Sequence, residues 1–81
     1  MRMRKQKLGD KNIVGARIEQ KRKELGIKQK DFLAKLQVEG MDINASGLSK
    51  LEGQIRGVFD YEIVVIAKVL GVSLDWLLGI E

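Results

Sequence analysis

Apolar residues recur along this chain at spacings of three and four, and the stretches between them carry asparagine, aspartate, serine or glycine where helices begin and end. Asn12 can cap a first helix over 13–25, in which Ile13, Ala16 and Ile18 give way to a polar stretch and Gly26 stands as the left-handed terminator. Phe32, Leu33 and Leu36 mark a shorter second helix over 29–37, whose cap position falls on Lys28, a poor capping residue. VEGMDI is a loop. Asn44 is a strong N-cap for a third helix in which Leu48 and Leu51 face inward while Ala45, Ser46, Ser49 and Lys50 face outward. GQIRGVFD holds two glycines and no helical period, after which Asp60 caps YEIVVIAKVL and Gly71 ends it. The β-branched run 63–66 has strand propensity, yet Asp60 before it and Ala67, Lys68, Leu70 and Gly71 after it predict a buried helix. Ser73 caps a last turn or two over LDWLLG, with Trp76 and Leu77 in the core. The pattern predicts an all-α, compact five-helix bundle.

Composition narrows the function classes. With 81 residues the chain makes one domain with a modest core, and no proline and only 5% aromatic residues suit helices better than a sandwich of short strands. There is no cysteine for a disulfide or thiolate metal site, and no histidine to bind zinc or act as a base. Met1, Met3 and Met41 are not a ligand set, and no glycine-rich phosphate loop or paired carboxylates suggest catalysis. The expectation is a non-enzyme with no metal or cofactor and no evident small-molecule ligand. The longest wholly apolar run, 63–67, is far short of the roughly 20 residues that cross a bilayer, and LGDKNI after the basic MRMRKQK is not the apolar core of a signal peptide. A soluble protein kept in a reducing cytoplasm is expected.

Charge is polarised along the chain. Arg2, Arg4, Lys5 and Lys7 give the first seven residues +4 with no acid, and the rest of the chain is neutral as a whole. Within it, residues 11–35 carry eight bases against three acids, whereas 36–81 carry three bases against seven acids. A basic arm over 1–11 and a basic first half of the 12–81 domain point to a polyanion met on one face; a solvated helix face plus a disordered tail has the same composition.

Three blocks taken together resemble the helix-turn-helix domain of the phage repressor and Cro proteins, the XRE family. GARIEQKRKELGIKQKDFLAKL resembles that family's first two helices, LSKLEGQIR its recognition-helix pattern, and IAKVLGVSLDWLLG its closing helices. The resemblance covers about 13–79 and implies a lambda-repressor-like DNA-binding fold. Between Ala34 and Asn44 the chain has about four more residues than the usual turn, and EGMDI looks like the insertion of one subgroup. A few extra surface residues cost little entropy if Ala34, Leu36, Ile43 and Leu48 pack together to hold the two helices.

The resemblance implies a transcriptional regulator, most simply a repressor, that binds double-stranded DNA at a palindromic operator as a homodimer. The third helix, about 44–53, would enter the major groove with Ala45, Ser46, Ser49 and Lys50 facing bases. The two serines also fit ordinary solvated surface. Lys28, Gln29, Lys30, Asn44, Gly53, Gln54 and Arg56 would meet phosphates, the two residues 53 and 54 through their amides, although Gly53-Gln54 departs from the family's usual Asn-Gly turn. Arg22 and Glu52 match a family ion pair between helices one and three. Arg2 and Arg4 would reach a minor groove or serve only as a tail. Ile55, Val58 and Phe59 with 76–80 are the apolar candidates for the dimer contact, and with no further domain expected after Gly79 a dimer that tightens on DNA is expected. The rival reading is a protein-binding module of antitoxin or anti-regulator type on the same fold; it gives no reason to surround the third helix with cations.

Overall fold

The computed structural model describes residues 12–80. The basic arm 1–11, with Arg2 and Arg4, and the final Glu81 lie outside them. The elements in order are α1 (Gly15–Glu24), α2 (Gln29–Val38), α3 (Ala45–Glu52), α4 (Asp60–Leu70) and α5 (Leu74–Leu78), with no strand among the described residues.

Helix ends follow the capping residues with two adjustments. At α3 and α5 the expected caps are in place: Asn44 Oδ1 accepts from Gly47 N–H at 2.7 Å, and Ser73 Oγ accepts from Trp76 N–H at 3.0 Å. At α1, Val14 rather than Asn12 holds the capping position, and Asn12 Oδ1 accepts from Gly15 N–H at 2.9 Å one step before the helix. At α4, Phe59 precedes the first helical residue and Asp60 lies inside the helix. Phe59 has no side-chain acceptor, so Glu62 supplies half of a capping box by accepting from Phe59 N–H at 3.0 Å. Gly26 takes the predicted left-handed conformation, φ 71°, and Ile27 N–H closes back on Arg22 O at 3.0 Å.

The buried stripe of α1 differs from the sequence reading. Ile18 is buried as expected, but Ile13 is 52% exposed, and Val14 and Arg22, each four residues from Ile18, turn inward with it. Val14 and Ile18 share one core with Phe32 and Leu36 from α2, Leu48 and Leu51 from α3, Ile66, Ala67 and Leu70 from α4, and Leu77 of α5. In α4 the positions 63, 66, 67 and 70 form the inward stripe of a helix, so tertiary burial overrides the strand propensity of its β-branched run. α3 packs on both α1 and α2, and α4 packs on α1, α2 and α5.

The α2–α3 connection is only in part the surface insertion that was expected: Ile43 lies in the core with Leu36 and Leu48 as expected, but Met41 joins them. Met41 and Ile43 are both buried core residues, Met41 N–H donates to Leu36 O at 3.1 Å, and Gln37 Nε2 donates to Ile43 O at 2.9 Å. Burying two large side chains contributes about 1.5–3 kcal/mol each, so the extra residues anchor the connection. Ala34 is exposed and takes no part in that packing; it lines a shallow groove with Lys35, Val38, Glu39 and Val69.

Candidate nucleic-acid interface

α3 is short, with one strongly apolar side. Leu48 and Leu51 are fully buried, and the residues between their positions emerge on the far side. Ala45, Ser46, Ser49 and Lys50 are all exposed, and offsets of one, four and five residues put them within one face of the helix. The Asn44 cap leaves the first N–H groups of the helix pointing outward at the end where Ala45 and Ser46 sit. Asn44 is thereby committed to the helix start.

Cations border this face. Lys28 and Lys30 at the start of α2 are exposed, and Lys30 and Gln29 line a notch of about 120 Å³ together with Leu33, Ala45 and Leu48. Among the described residues, neither these lysines nor Lys50 pairs with a carboxylate, whereas Lys21, Lys23 and Lys68 pair with Glu24, Glu19 and Glu39. Uncompensated positive charge therefore gathers beside the exposed face of α3. Asp42, also exposed, is the acid that adjoins the start of that helix.

Behind the face lies a polar chain that fixes α3 to α1 and α2. Arg22 Nε donates to Glu52 Oε2 at 2.8 Å and its Nη2 to Oε1 at 3.1 Å, a two-pronged arrangement with both side chains nearly buried. Arg22 Nη1 donates to Ile27 O at 2.9 Å, and Gln29 Nε2 donates to Glu52 Oε1 at 3.1 Å. Ser49 Oγ donates to Gln29 Oε1 at 3.2 Å and brings the chain to the surface. Every buried polar side-chain atom among the described residues has a partner, which a buried ion pair requires if it is not to destabilise the fold.

The exit of α3 departs most from expectation. Gly53 N–H donates to Ser49 O at 2.9 Å and Gln54 N–H to Leu51 O at 3.1 Å, so these two amides close the helix and are not available to phosphate. The left-handed position falls on Gln54, φ 65°, and not on the glycine before it. Glutamine there costs about 1–2 kcal/mol of backbone strain, offset by its Nε2, which donates to Asn12 O at 2.9 Å in a buried bond. Asn12 in turn donates from Nδ2 to Leu51 O at 3.0 Å and Arg56 O at 2.8 Å. Read from the sequence only as a cap, Asn12 is a clasp between the start of α1 and the end of α3; nothing in its local sequence signals the distant partners.

Arg56 also has an internal role in place of the free phosphate contact expected of it. Its Nη1 and Nη2 donate to Glu62 Oε1 and Oε2 at 3.0 and 3.1 Å, and Nη1 also to Gly57 O at 2.9 Å. Burial pushes the Glu62 carboxyl up, but the bonds from Arg56 and from Phe59 N–H and the charge of Arg56 outweigh it, and the net shift is downward. The Glu62 bond raises the Arg56 pKa against the lowering effect of burial. Glu62 was missed by the sequence reading; its position three residues after a helix cap is the signal that could have marked it.

The apolar dimer candidates divide. Phe59 and Ile80 are 66% and 71% exposed and Ile55 is at the edge of exposure, but Leu77 is fully buried and belongs to the core. Trp76 is half-buried under Arg17, whose guanidinium carbon lies 4.3 Å from the ring centroid and whose Nε donates to Trp76 O. Among the described residues no group of acidic side chains is placed to hold a metal ion, and no helix is long and apolar enough to cross a membrane. No protein-family model, curated protein or solved structure matches this chain.

Proposed function

We propose that this protein binds double-stranded DNA sequence-specifically as a transcriptional regulator in the cytoplasm, with α2 and α3 as a helix-turn-helix and α3 in the major groove. The observation that carries the reading is the exposed face Ala45, Ser46, Ser49 and Lys50, flanked by Lys28 and Lys30 that no carboxylate among the described residues neutralises and held rigidly from behind by Arg22, Glu52 and Gln29. Small side chains let the helix backbone approach base edges, Lys50 donates to guanine, and Lys28 and Lys30 bind phosphate. Gln29 and Asn44 serve the reading helix by positioning it. The protein acts by occupancy, most simply as a repressor, and not by catalysis. Two copies bind a palindromic operator, meeting through the apolar surface that includes Ile55 and Phe59.

Selection of bound duplexes from a random pool tests this. The expected survivors share a two-fold site with half-sites about 10 base pairs apart, and binding weakens steeply with salt. Survivors without a shared sequence refute it. Salt-insensitive capture of a protein instead would support the protein-binding module, a reading to which the exposed stacked pair Phe59 and Tyr61, ring centroids 6.3 Å apart, also lends itself.

A further inference from the structure

The polar chain behind α3 runs in one direction. Arg22 can only donate, and Glu52, bonded through both oxygens to that guanidinium, offers only acceptors to its other neighbours. The amide of Gln29 must therefore turn its nitrogen toward Glu52, because an amide oxygen at the same 3.1 Å would face a carboxylate oxygen. That orientation sends Gln29 Oε1 outward, where it accepts the hydroxyl proton of Ser49 at 3.2 Å. With its proton directed back into the protein, Ser49 Oγ presents lone pairs to whatever lies in front of α3.

A free serine hydroxyl donates or accepts as its partner demands, and so distinguishes bases poorly. A serine held in this polarity does distinguish them. In the major groove the donors are adenine N6 and cytosine N4, whereas guanine O6 and N7, thymine O4 and adenine N7 are acceptors, so guanine and thymine offer no donor at all to a fixed acceptor. We infer that Ser49 reads DNA as a hydrogen-bond acceptor, selecting adenine or cytosine, and that Gln29 and Glu52 are positioning residues that set this polarity from inside the protein. The inference rests on the DNA-binding reading above and deepens it by naming the base class that one residue accepts.

The test uses the full chain and its Ser49→Ala and Gln29→Ala variants, each first shown by thermal unfolding to remain folded, in parallel selections from the same random duplex pool. Ser49 is exposed and Gln29 half-buried, so neither substitution empties the core. The unmodified chain is expected to prefer adenine or cytosine by about fivefold, the worth of one hydrogen bond, at one position in each half-site. Ser49→Ala erases that preference at that position alone. Gln29→Ala frees the hydroxyl proton and admits guanine and thymine there, while the other positions keep their preferences. A merely structural role for Gln29 would lower affinity for all sites equally and leave the base preference unmoved; that result overturns the inference. So does a site in which no position responds to Ser49→Ala, or in which the responding base is guanine or thymine. A pool that yields no shared site overturns the DNA-binding reading itself, and this inference with it.

Discussion

Replacing Gly15 with alanine is a sharp test of how closely α1 and α3 approach. A Cβ on Gly15 would lie 2.3 Å from Leu51 O and 2.9 Å from Gln54 Cγ, about 1 Å short of ordinary contact with a backbone atom that cannot swing aside. Forcing such a contact costs about 1–3 kcal/mol in overpacking. The displaced Leu51 O is also the acceptor for Asn12 Nδ2, so a buried hydrogen bond of about 1 kcal/mol is strained at the same time. Against this, alanine restricts the unfolded chain and returns about 0.4–1 kcal/mol. The net expectation for Gly15→Ala is a loss of about 2 kcal/mol, or a Tm lower by roughly 8–16 °C in a domain of this size. Thermal and urea unfolding, followed by circular dichroism and Trp76 fluorescence, measures it. Gly57→Ala is the control: nothing lies within 4 Å of a Cβ built there, and stability should hold within about 0.5 kcal/mol or rise slightly. Equal stability of Gly15→Ala and the unmodified chain would refute the claimed approach of the two helices.

Five further substitutions, at four positions, probe the exit of α3 and the charged face. Arg56→Ala leaves the buried Glu62 carboxylate without its cation, bonded still to Phe59 N–H, and should cost about 3 kcal/mol in urea unfolding, toward the low end for a buried pair because the arginine is partly solvated. Because the folded-state pKa of Glu62 lies below its ordinary value, the pair contributes stability above that value and loses it as pH falls through the folded pKa; Glu62→Gln should show a flatter decline in urea midpoint from about pH 5 downward, and an unchanged slope would count against the pair. Gln54→Ala keeps the left-handed strain and loses the bond to Asn12 O, whereas Gln54→Gly loses the bond and the strain together. The glycine variant should therefore be the more stable of the two by about 1 kcal/mol, and the reverse order would refute the strain argument. Lys28→Ala should reduce the slope of log affinity against log salt on DNA by about 1; an unaltered slope removes Lys28 from the interface.

Much of the helical framework was legible because its cues are local. Asn44, Ser73, Gly26 and Gly71 act within a few residues of themselves, and the inward stripe of α4 repeats within one helix. The exposed face of α3 was legible for the same reason. What was not legible depends on distant partners. Asn12 and Val14 trade roles at the start of α1 because Asn12 is drawn to Leu51 O and Arg56 O, 39 and 44 residues away. Arg56 looked like a free cation because Glu62, its partner in the next helix, was not singled out in the sequence, and residues 53 and 54 looked like free amides although the helix closes on them. Ala34 is exposed where packing was expected, and Met41 is buried where surface was expected; which side of α2 and which loop residue face the core is set by packing that no local cue announces.

The Asn12 clasp also sets an order of events in time. A ribosome that has made Asn12 must add another 44 residues before Arg56, its farthest acceptor, exists, about 2–9 s at ordinary rates of synthesis. The other distant acceptor of Asn12, Leu51 O, is made 39 residues after it, so the clasp is complete only once the whole of α3 and its exit have been made. Bonds between residues so far apart in the chain are the last to form and the first to be lost, since loop closure must precede them. Asn12→Ala is therefore expected to act mainly on the unfolding limb of a denaturant–rate plot, leaving the folding rate nearly unchanged. In the native state the clasp works as a kinetic latch: beside the ion pair of Arg22 and Glu52 and the buried Leu48 and Leu51, one amide side chain ties the end of α3 to a residue made 39 positions earlier.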